Sequence, residues 1–121
     1  MLKTMSSPPL DVACLCAGWC RTCDAYGPVF EQAVAALRAE HPSLRAHWID
    51  IEDRADLVGD FDVETFPTLV VADAQRVRFA GPLTPQPETL MRLLRATLAD
   101  AGAGGPQPPA VTAFAERLRA A

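Results

Sequence analysis

Four cysteines lie within ten residues, at the point where an apolar run of the sequence gives way to a helical pattern. They are Cys14, Cys16, Cys20 and Cys23. The last two form a Cys-x-x-Cys pair at a predicted strand-to-helix junction, which is typical of a dithiol that cycles with a disulfide. The unpaired N–H groups and the positive dipole end of a helix start favour a thiolate over a thiol. Because the thiolate is the form that attacks disulfides, this position indicates redox chemistry.

The hydrophobic pattern of the remaining chain predicts strands alternating with helices. Strands are predicted at residues 10–17, 44–51, 68–72 and 76–80, and helices at about 20–40, 52–60, 88–100 and 110–121. Helical crossovers make the early strands parallel, and the short turn at 73–75 makes the last two antiparallel. We therefore predict an α/β fold with a mixed four-stranded sheet flanked by helices. Trp48 is predicted to lie in the core, and Gly81 and Pro82 in a loop.

The length and composition fit one domain with a single core. The chain has 121 residues, and half of them are hydrophobic. Residues 1–9 read as a polar arm, and residues 10–100 as the domain. Residues 101–109 are a linker rich in Gly and Pro, and a short helix completes the chain to residue 121.

Charge and hydropathy exclude several kinds of partner. The formal net charge is -4, and the sequence contains no basic stripe, so nucleic acid is not expected as a partner. No apolar run approaches the ~18 residues that span a bilayer, so no membrane partner is expected. The first ten residues have no apolar segment of the kind found in secretory signals. We therefore expect a cytoplasmic protein, in which a cysteine pair is more often catalytic or metal-binding than structural.

Three features together resemble the thioredoxin family. They are the Trp19-Cys20-Arg21-Thr22-Cys23 segment, Pro28 within the first helix, and Phe66-Pro67-Thr68 before the third strand. The resemblance covers roughly residues 10–100 and implies a minimal thioredoxin-like fold, because residues 1–9 are too few for the extra strand and helix found in many relatives.

The resemblance also implies a substrate surface and two departures from the family. Pro67 would form a cis peptide bond, and Trp19, Phe66, Pro67 and Gly81 would surround the dithiol as a shallow apolar docking surface. The family's buried carboxylate and its lysine partner match Cys14 and Trp48 in this sequence, so both charges of that pair are absent.

The cysteines of the motif take distinct roles in this interpretation. Cys20 is predicted to be the nucleophile at the helix start, and Cys23, one turn further in, to resolve the mixed disulfide. Arg21 and Thr22 lie between them and would tune the redox potential. A cation at Arg21 would favour the Cys20 thiolate and make the potential less negative than the ~−270 mV of thioredoxin. The alternative is that Arg21 points into solvent, where screening weakens its effect.

Cys14 and Cys16 are possible auxiliary thiols. They are two residues apart on a strand, so both side chains face the same way, towards the first helix if the family register holds. That spacing is a poor geometry for a disulfide between them. One interpretation is that they pack as small hydrophobic residues. The other is that Cys14 is a third redox thiol that captures Cys23.

These features predict an enzyme, a thiol–disulfide oxidoreductase that exchanges Cys20/Cys23 with protein disulfides and contributes to cell redox homeostasis. No cofactor or metal is required, an upstream reductase or glutathione would regenerate the dithiol, and the protein is expected to be a monomer. Two alternatives stay open. One is a zinc module that uses the four thiolates, and the other is a redox-inactive domain that uses the fold for binding or as a chaperone.

Overall fold

The structure, a computed structural model, describes residues 9–84, 86–99 and 106–121. The strands are β1 (Leu10–Cys16), β2 (Leu44–Asp50), β3 (Thr68–Ala72) and β4 (Val77–Pro82), and the helices are α1 (Arg21–Arg38), α2 (Ala55–Val58), α3 (Pro87–Ala99) and α4 (Pro109–Ala120). Of the predicted arm at residues 1–9, residues 1–8 lie outside the described residues, and so do residues 101–105 of the predicted linker at 101–109.

The four strands form one mixed sheet in the order β2-β1-β3-β4. The pair β1–β2 is parallel and the pair β3–β4 is antiparallel, which confirms the predicted fold class. β3 runs antiparallel to β1. The expectation that a second helical crossover would keep β3 parallel is therefore wrong. α2 has only four residues, and the connection around it returns the chain in the opposite direction.

Helices cover both faces of the sheet. On one face, α1 and α3 pack over Leu10, Val12, Cys14 and Cys16 of β1. On the other face, α2 and α4 pack over Ala13, Leu15 and strand residues around them. Because side chains alternate along β1, every second residue faces α1. Cys14 and Cys16 therefore point towards the helix that contains Cys23 and begins directly after Cys20.

The C-terminal helix belongs to this packing. Phe114 of α4 is fully buried, and its ring centroid lies 5.4 Å from that of Phe61. Three arginines hold the C-terminal part of α4 in place. Arg117 donates to the carbonyls of Leu57 and Val58 in α2, and Arg119 donates to the carbonyl of Asp73. Arg45 of β2 donates to the carbonyls of Leu118 and Arg119.

Two predictions about single positions are wrong. Gly81 and Pro82 belong to β4, where they pair with Leu69 and Thr68, so the predicted loop begins later. Trp48 is 44% exposed instead of buried. Trp48 belongs to the edge strand β2, and its ring lies against that of Phe30, with centroids 5.9 Å apart. Across the described ranges, no helix is both long and apolar enough to cross a membrane.

Candidate redox site

Cys20 lies where β1 gives way to α1. It is the N-cap residue, with extended backbone angles of φ −89° and ψ 114°, and its side chain makes no capping hydrogen bond. Its N–H donates to the carbonyl of Ala17 at 3.0 Å, and its carbonyl accepts from the N–H of Asp24 at 3.3 Å. This turn places the Cys20 thiol, free and partly exposed, at the amino end of a helix of 18 residues. Arg21 and Thr22 follow it in the exposed part of the first turn.

Cys23 is joined by a disulfide to Cys16, with a Cα–Cα distance of 5.9 Å. Both residues are only 2% exposed. The pairing predicted from the Cys-x-x-Cys motif, Cys20 with Cys23, is therefore not the one present, and neither is the predicted capture of Cys23 by Cys14. The physical reason is direction: Cys23 points inward from the first turn of α1, and Cys16, the last residue of β1, faces the same core.

Cys14 is the innermost of the four sulfurs. Its Sγ lies 4.0 Å from Sγ of Cys16, and because a disulfide sulfur carries no proton, the Cys14 thiol is the donor of this contact. Burial raises the pKa of the Cys14 thiol to about 12, so it stays protonated at neutral pH. This supports its interpretation as a packing residue.

The register of the sheet places Cys14 directly beside Trp48 on β2. These are the two positions that the resemblance matched to the family's buried carboxylate and lysine. In the described part of the chain, these two neighbouring positions therefore carry neither a carboxylate nor an ammonium.

Tyr26 is a polar group at this site that the sequence did not identify. Its side chain is 1% exposed, and its hydroxyl has no hydrogen-bond partner among the described residues. Burial first, and then the charge of an ionised Cys14, raise the pKa of Tyr26 to about 12. The sequence does place Tyr26 three residues after Cys23, on the same face of α1. This spacing does not distinguish a residue of the site from an ordinary core residue such as Phe30, which lies on that face as well.

An apolar rim borders Cys20. Trp19 is 67% exposed, and its ring meets that of Phe66 edge to face, with centroids 5.5 Å apart. The peptide bond between Phe66 and Pro67 is cis, as the resemblance implies. Beyond it, the carbonyl of Pro67 accepts a hydrogen bond from the N–H of Leu83 at 3.1 Å, which ties this segment to the end of β4.

Gly81 lies further along the same edge. It is paired with Leu69 in β4, and it lines a cavity of ≈ 280 Å³ together with Thr65 and Thr68. Gly81 therefore shares a cavity with Thr65 and Thr68, on the side of the sheet where α4 begins with Val111 in its first turn.

A second cavity opens to solvent beside Cys23. It has a volume of ≈ 380 Å³ and lies between α1 and β2, with Cys23, Gly27, Phe30 and Trp48 among its lining residues. Two acidic side chains, Asp24 and Glu31, line it as well. The exposed face of Trp48 is part of this cavity wall.

Within residues 9–84, 86–99 and 106–121, no group of three or more His, Cys, Asp or Glu side chains is arranged to hold a metal ion.

The fold, the cysteines at the strand-to-helix junction and the cis peptide bond between Phe66 and Pro67 define a thioredoxin-type domain. The protein belongs to the thioredoxin family, whose family model matches residues 7–92. It is similar to "Putative thioredoxin 2" of Streptomyces coelicolor, with 35% identity over 66 residues, which are 54% of this chain and 46% of that protein.

Two further similarities fit this assignment. A protein disulfide-isomerase of Gallus gallus is 36% identical over 53 residues, which are 44% of this chain and 10% of that protein. The crystal structure of thioredoxin from Trypanosoma brucei brucei superposes with a TM-score of 0.63 at 23% identity, covering 79% of this chain and 80% of that one. This last likeness concerns the fold. The matched segments span less than half the length of these two curated relatives.

Proposed function

We propose that this protein is a thiol–disulfide oxidoreductase in which Cys20 attacks protein disulfides and Cys23 resolves the product. The observation that carries the proposal is the state of Cys20. Of the four cysteines it alone is not buried, and it is a free thiol at the amino end of α1. The unpaired N–H groups of a helix start stabilise a negative charge nearby, and Cys20 is the residue that directly precedes them.

The reaction follows the ordinary course of thiol–disulfide exchange. The Cys20 thiolate attacks one sulfur of the substrate disulfide, forms a mixed disulfide and releases the other substrate sulfur as a thiolate. Cys23 then attacks the Cys20 sulfur, the bond between Cys20 and the substrate breaks, and the second substrate sulfur leaves and takes up the proton that Cys23 gives up. The substrate gains two electrons and the protein gains one disulfide. In the form described here Cys23 is bonded to Cys16, so reduction of that disulfide precedes this cycle.

The apolar rim supports a protein as the substrate. The exposed Trp19 ring and the edge of Phe66 offer a surface on which an apolar side chain next to a disulfide can pack. The segment at Pro67 lies next to it and would pair its backbone with an extended substrate chain. A small disulfide would need the Cys20 sulfur but not this surface.

A reductase or reduced glutathione would return the protein to its dithiol form, and the protein would work in the cytoplasm as a monomer. No bound cofactor takes part, because both electrons are carried by cysteine sulfurs.

The test is reduction of insulin disulfides by dithiothreitol in the presence of catalytic amounts of the protein. The wild type is expected to accelerate the reaction, and Cys20→Ser is expected to reduce the rate to that without protein. Cys14→Ala is the matched control, since it removes a buried, protonated thiol from the same cluster and should retain the wild-type rate.

Two results would contradict the proposal. A wild-type rate equal to that of Cys20→Ser would identify a redox-inactive binding domain. One equivalent of zinc bound to the reduced protein with four thiolates protected from alkylation would identify a metal module instead.

A further inference from the structure

We propose that Cys16 is a third redox residue, which takes Cys23 from Cys20, stores the disulfide in the core and leaves Cys20 free. The inference rests on the proposed function and adds to it a step after the substrate has left. Three sulfurs carry the inference. Cys16 is bonded to Cys23, and Cys20 is a free thiol at the N-cap of the helix that contains Cys23.

Accessibility decides the order of events. Cys16 and Cys23 are each 2% exposed, whereas Cys20 is partly exposed. A substrate disulfide on another protein can therefore reach only the Cys20 sulfur. The buried disulfide has to be formed by transfer from Cys20, and Cys23 is the sulfur through which the transfer passes.

Cys23 is within reach of both partners. It is three residues after Cys20, and residues three apart share a helix face with Cβ atoms about 5–6 Å apart. Its Cα lies 5.9 Å from that of Cys16, in the usual range for a disulfide. A small movement of the first turn of α1 thus suffices to exchange one partner for the other.

The transfer is balanced without any further reactant. The Cys16 thiolate attacks the Cys23 sulfur of a Cys20–Cys23 disulfide. The bond between Cys16 and Cys23 forms, the bond between Cys20 and Cys23 breaks, and Cys20 leaves as a thiolate. The proton released from Cys16 is matched by the one that Cys20 takes up from solvent. One disulfide replaces another, and the oxidation state of the protein is unchanged.

Position explains why Cys16 has this role and Cys14 does not. Both face α1, but Cys16 is the last residue of β1, at the sheet end where α1 begins. Cys14 lies one pleat deeper, where burial keeps its thiol protonated. Its contact at 4.0 Å is with the Cys16 sulfur, behind the disulfide.

The transfer gives the oxidised protein a distinct property. It retains a reactive thiol at the rim while its oxidising equivalents are held in the core. A second substrate can then form a mixed disulfide with Cys20 that Cys23 cannot resolve, because Cys23 is occupied. Release then requires a thiol of the substrate itself, and the substrate disulfide is rearranged instead of reduced.

The experiment is a disulfide map of the reduced protein after oxidation by excess insulin, with remaining thiols alkylated by iodoacetamide. Trypsin cuts after Arg21 but leaves Cys14, Cys16 and Cys20 on one peptide, so chymotryptic cleavage after Trp19 is needed to separate Cys16 from Cys20. The expected product has a Cys16–Cys23 link and alkylated Cys20. Cleavage after Leu15 then distinguishes Cys16 from Cys14.

Three variants test the route. In Cys16→Ala the link should be Cys20–Cys23, with loss of Cys20 alkylation. In Cys14→Ala, the matched control on the same strand face, the Cys16–Cys23 link should persist. In Cys20→Ser, insulin should no longer oxidise Cys16 and Cys23.

The outcomes separate this inference from the proposed function. A stable Cys20–Cys23 link in the wild type, together with insulin reduction that depends on Cys20, overturns the role of Cys16 and leaves the oxidoreductase intact. An equally fast Cys16–Cys23 link in Cys20→Ser overturns the transfer. The wild-type map needs no substitution, so a variant that fails to fold does not prevent a decision.

Discussion

Asp11 is buried on the interior strand β1 and accepts a hydrogen bond from Nε of Arg45 at 2.7 Å. The aspartate is 1% exposed, and Nε2 of His47 is 2.8 Å from the same oxygen. Arg45 also donates to the carbonyls at the end of α4, so the carboxylate links β1, β2 and the C-terminal helix. Burial acts to raise the pKa of Asp11, but the hydrogen bonds from His47 and Arg45 outweigh it, and the pKa is lowered below the usual 3.8.

We expect this carboxylate to produce a loss of stability in acid. The pKa of Asp11 is lower in the folded than in the unfolded state. The ionised carboxylate therefore contributes fully to the free energy of unfolding above about pH 3.8, and this contribution is lost as the pH falls through the folded pKa. Asp11→Asn should lower the free energy of unfolding at pH 7 by about 1–3 kcal/mol and flatten its decline below pH 4. Urea unfolding across this pH range measures both effects.

The control for this prediction is Asp56→Asn. Asp56 forms a pair with Arg54 at 3.4 Å on the surface. Solvent screens such a pair, so its removal should change the free energy of unfolding little. An acid profile of Asp11→Asn that matches the wild type would show that another group governs the acid transition.

The aromatic side chain of Phe114 should make α4 an essential part of the domain. It is fully buried against the second face of the sheet and in contact with Phe61. Phe114→Ala should lower the free energy of unfolding by about 3–5 kcal/mol. Glu116→Ala, an exposed neighbour on the same helix, should be close to neutral. Equal stability of the two variants in urea would mean that the sheet face is stable without α4.

Gly59 should tolerate no side chain. Its φ of 58° and ψ of −129° are open to glycine but strained for other residues, and an added Cβ would lie 2.9 Å from Cζ of Arg117. Gly59→Ala should therefore cost about 1–3 kcal/mol. It should also displace the Arg117 guanidinium from the carbonyls of Leu57 and Val58.

Gly27→Ala is the matched control for this strain. Gly27 lies inside α1, and the nearest atom to a new Cβ is a ring carbon of Trp48 at 3.9 Å, an ordinary contact. Alanine in a helix interior is favoured over glycine by about 0.5–1 kcal/mol, so this variant should be stabilised. Opposite signs for the two substitutions in thermal or urea unfolding are expected. Equal signs would contradict the backbone argument.

The strands were predictable because their residues form short apolar runs with clear boundaries. The predicted third strand, residues 68–72, has the observed bounds, and the turn after it is closed by the Asp73 carboxylate, which accepts from the N–H groups of Gln75 and Arg76. The end of β4 was missed because Gly81 and Pro82 are turn formers by composition. At an edge strand a proline lacking an N–H is tolerated, and tertiary pairing overrides local preference.

The sulfur pairing was not predictable from spacing. The two-residue period of β1 correctly gives the direction of Cys14 and Cys16, and helical geometry gives that of Cys23. The choice of partner for Cys23 depends on how the first turn of α1 packs over the end of β1, which only the tertiary structure decides. Trp48 was misjudged for a similar reason, since its exposure follows from the edge position of β2, which strand order alone decides.

The exposed ring of Trp19 should matter for protein substrates and not for small ones. It is 67% exposed and held in place by its edge-to-face contact with Phe66. Trp19→Ala removes the surface that packs against a substrate chain but leaves the Cys20 sulfur in place. We expect KM for insulin to rise by about tenfold, corresponding to about 1.4 kcal/mol of lost binding, with little change in kcat.

The comparison substrate is a small aromatic disulfide such as dithiobis(nitrobenzoate), whose reduction should proceed in Trp19→Ala at close to the wild-type rate. Trp48→Ala is the control among tryptophans, because Trp48 is also exposed but lies on β2, beside Phe30. It should leave KM for insulin unchanged. If Trp19→Ala lowers kcat equally for both substrates, the ring supports the position of Cys20 and does not bind the substrate chain.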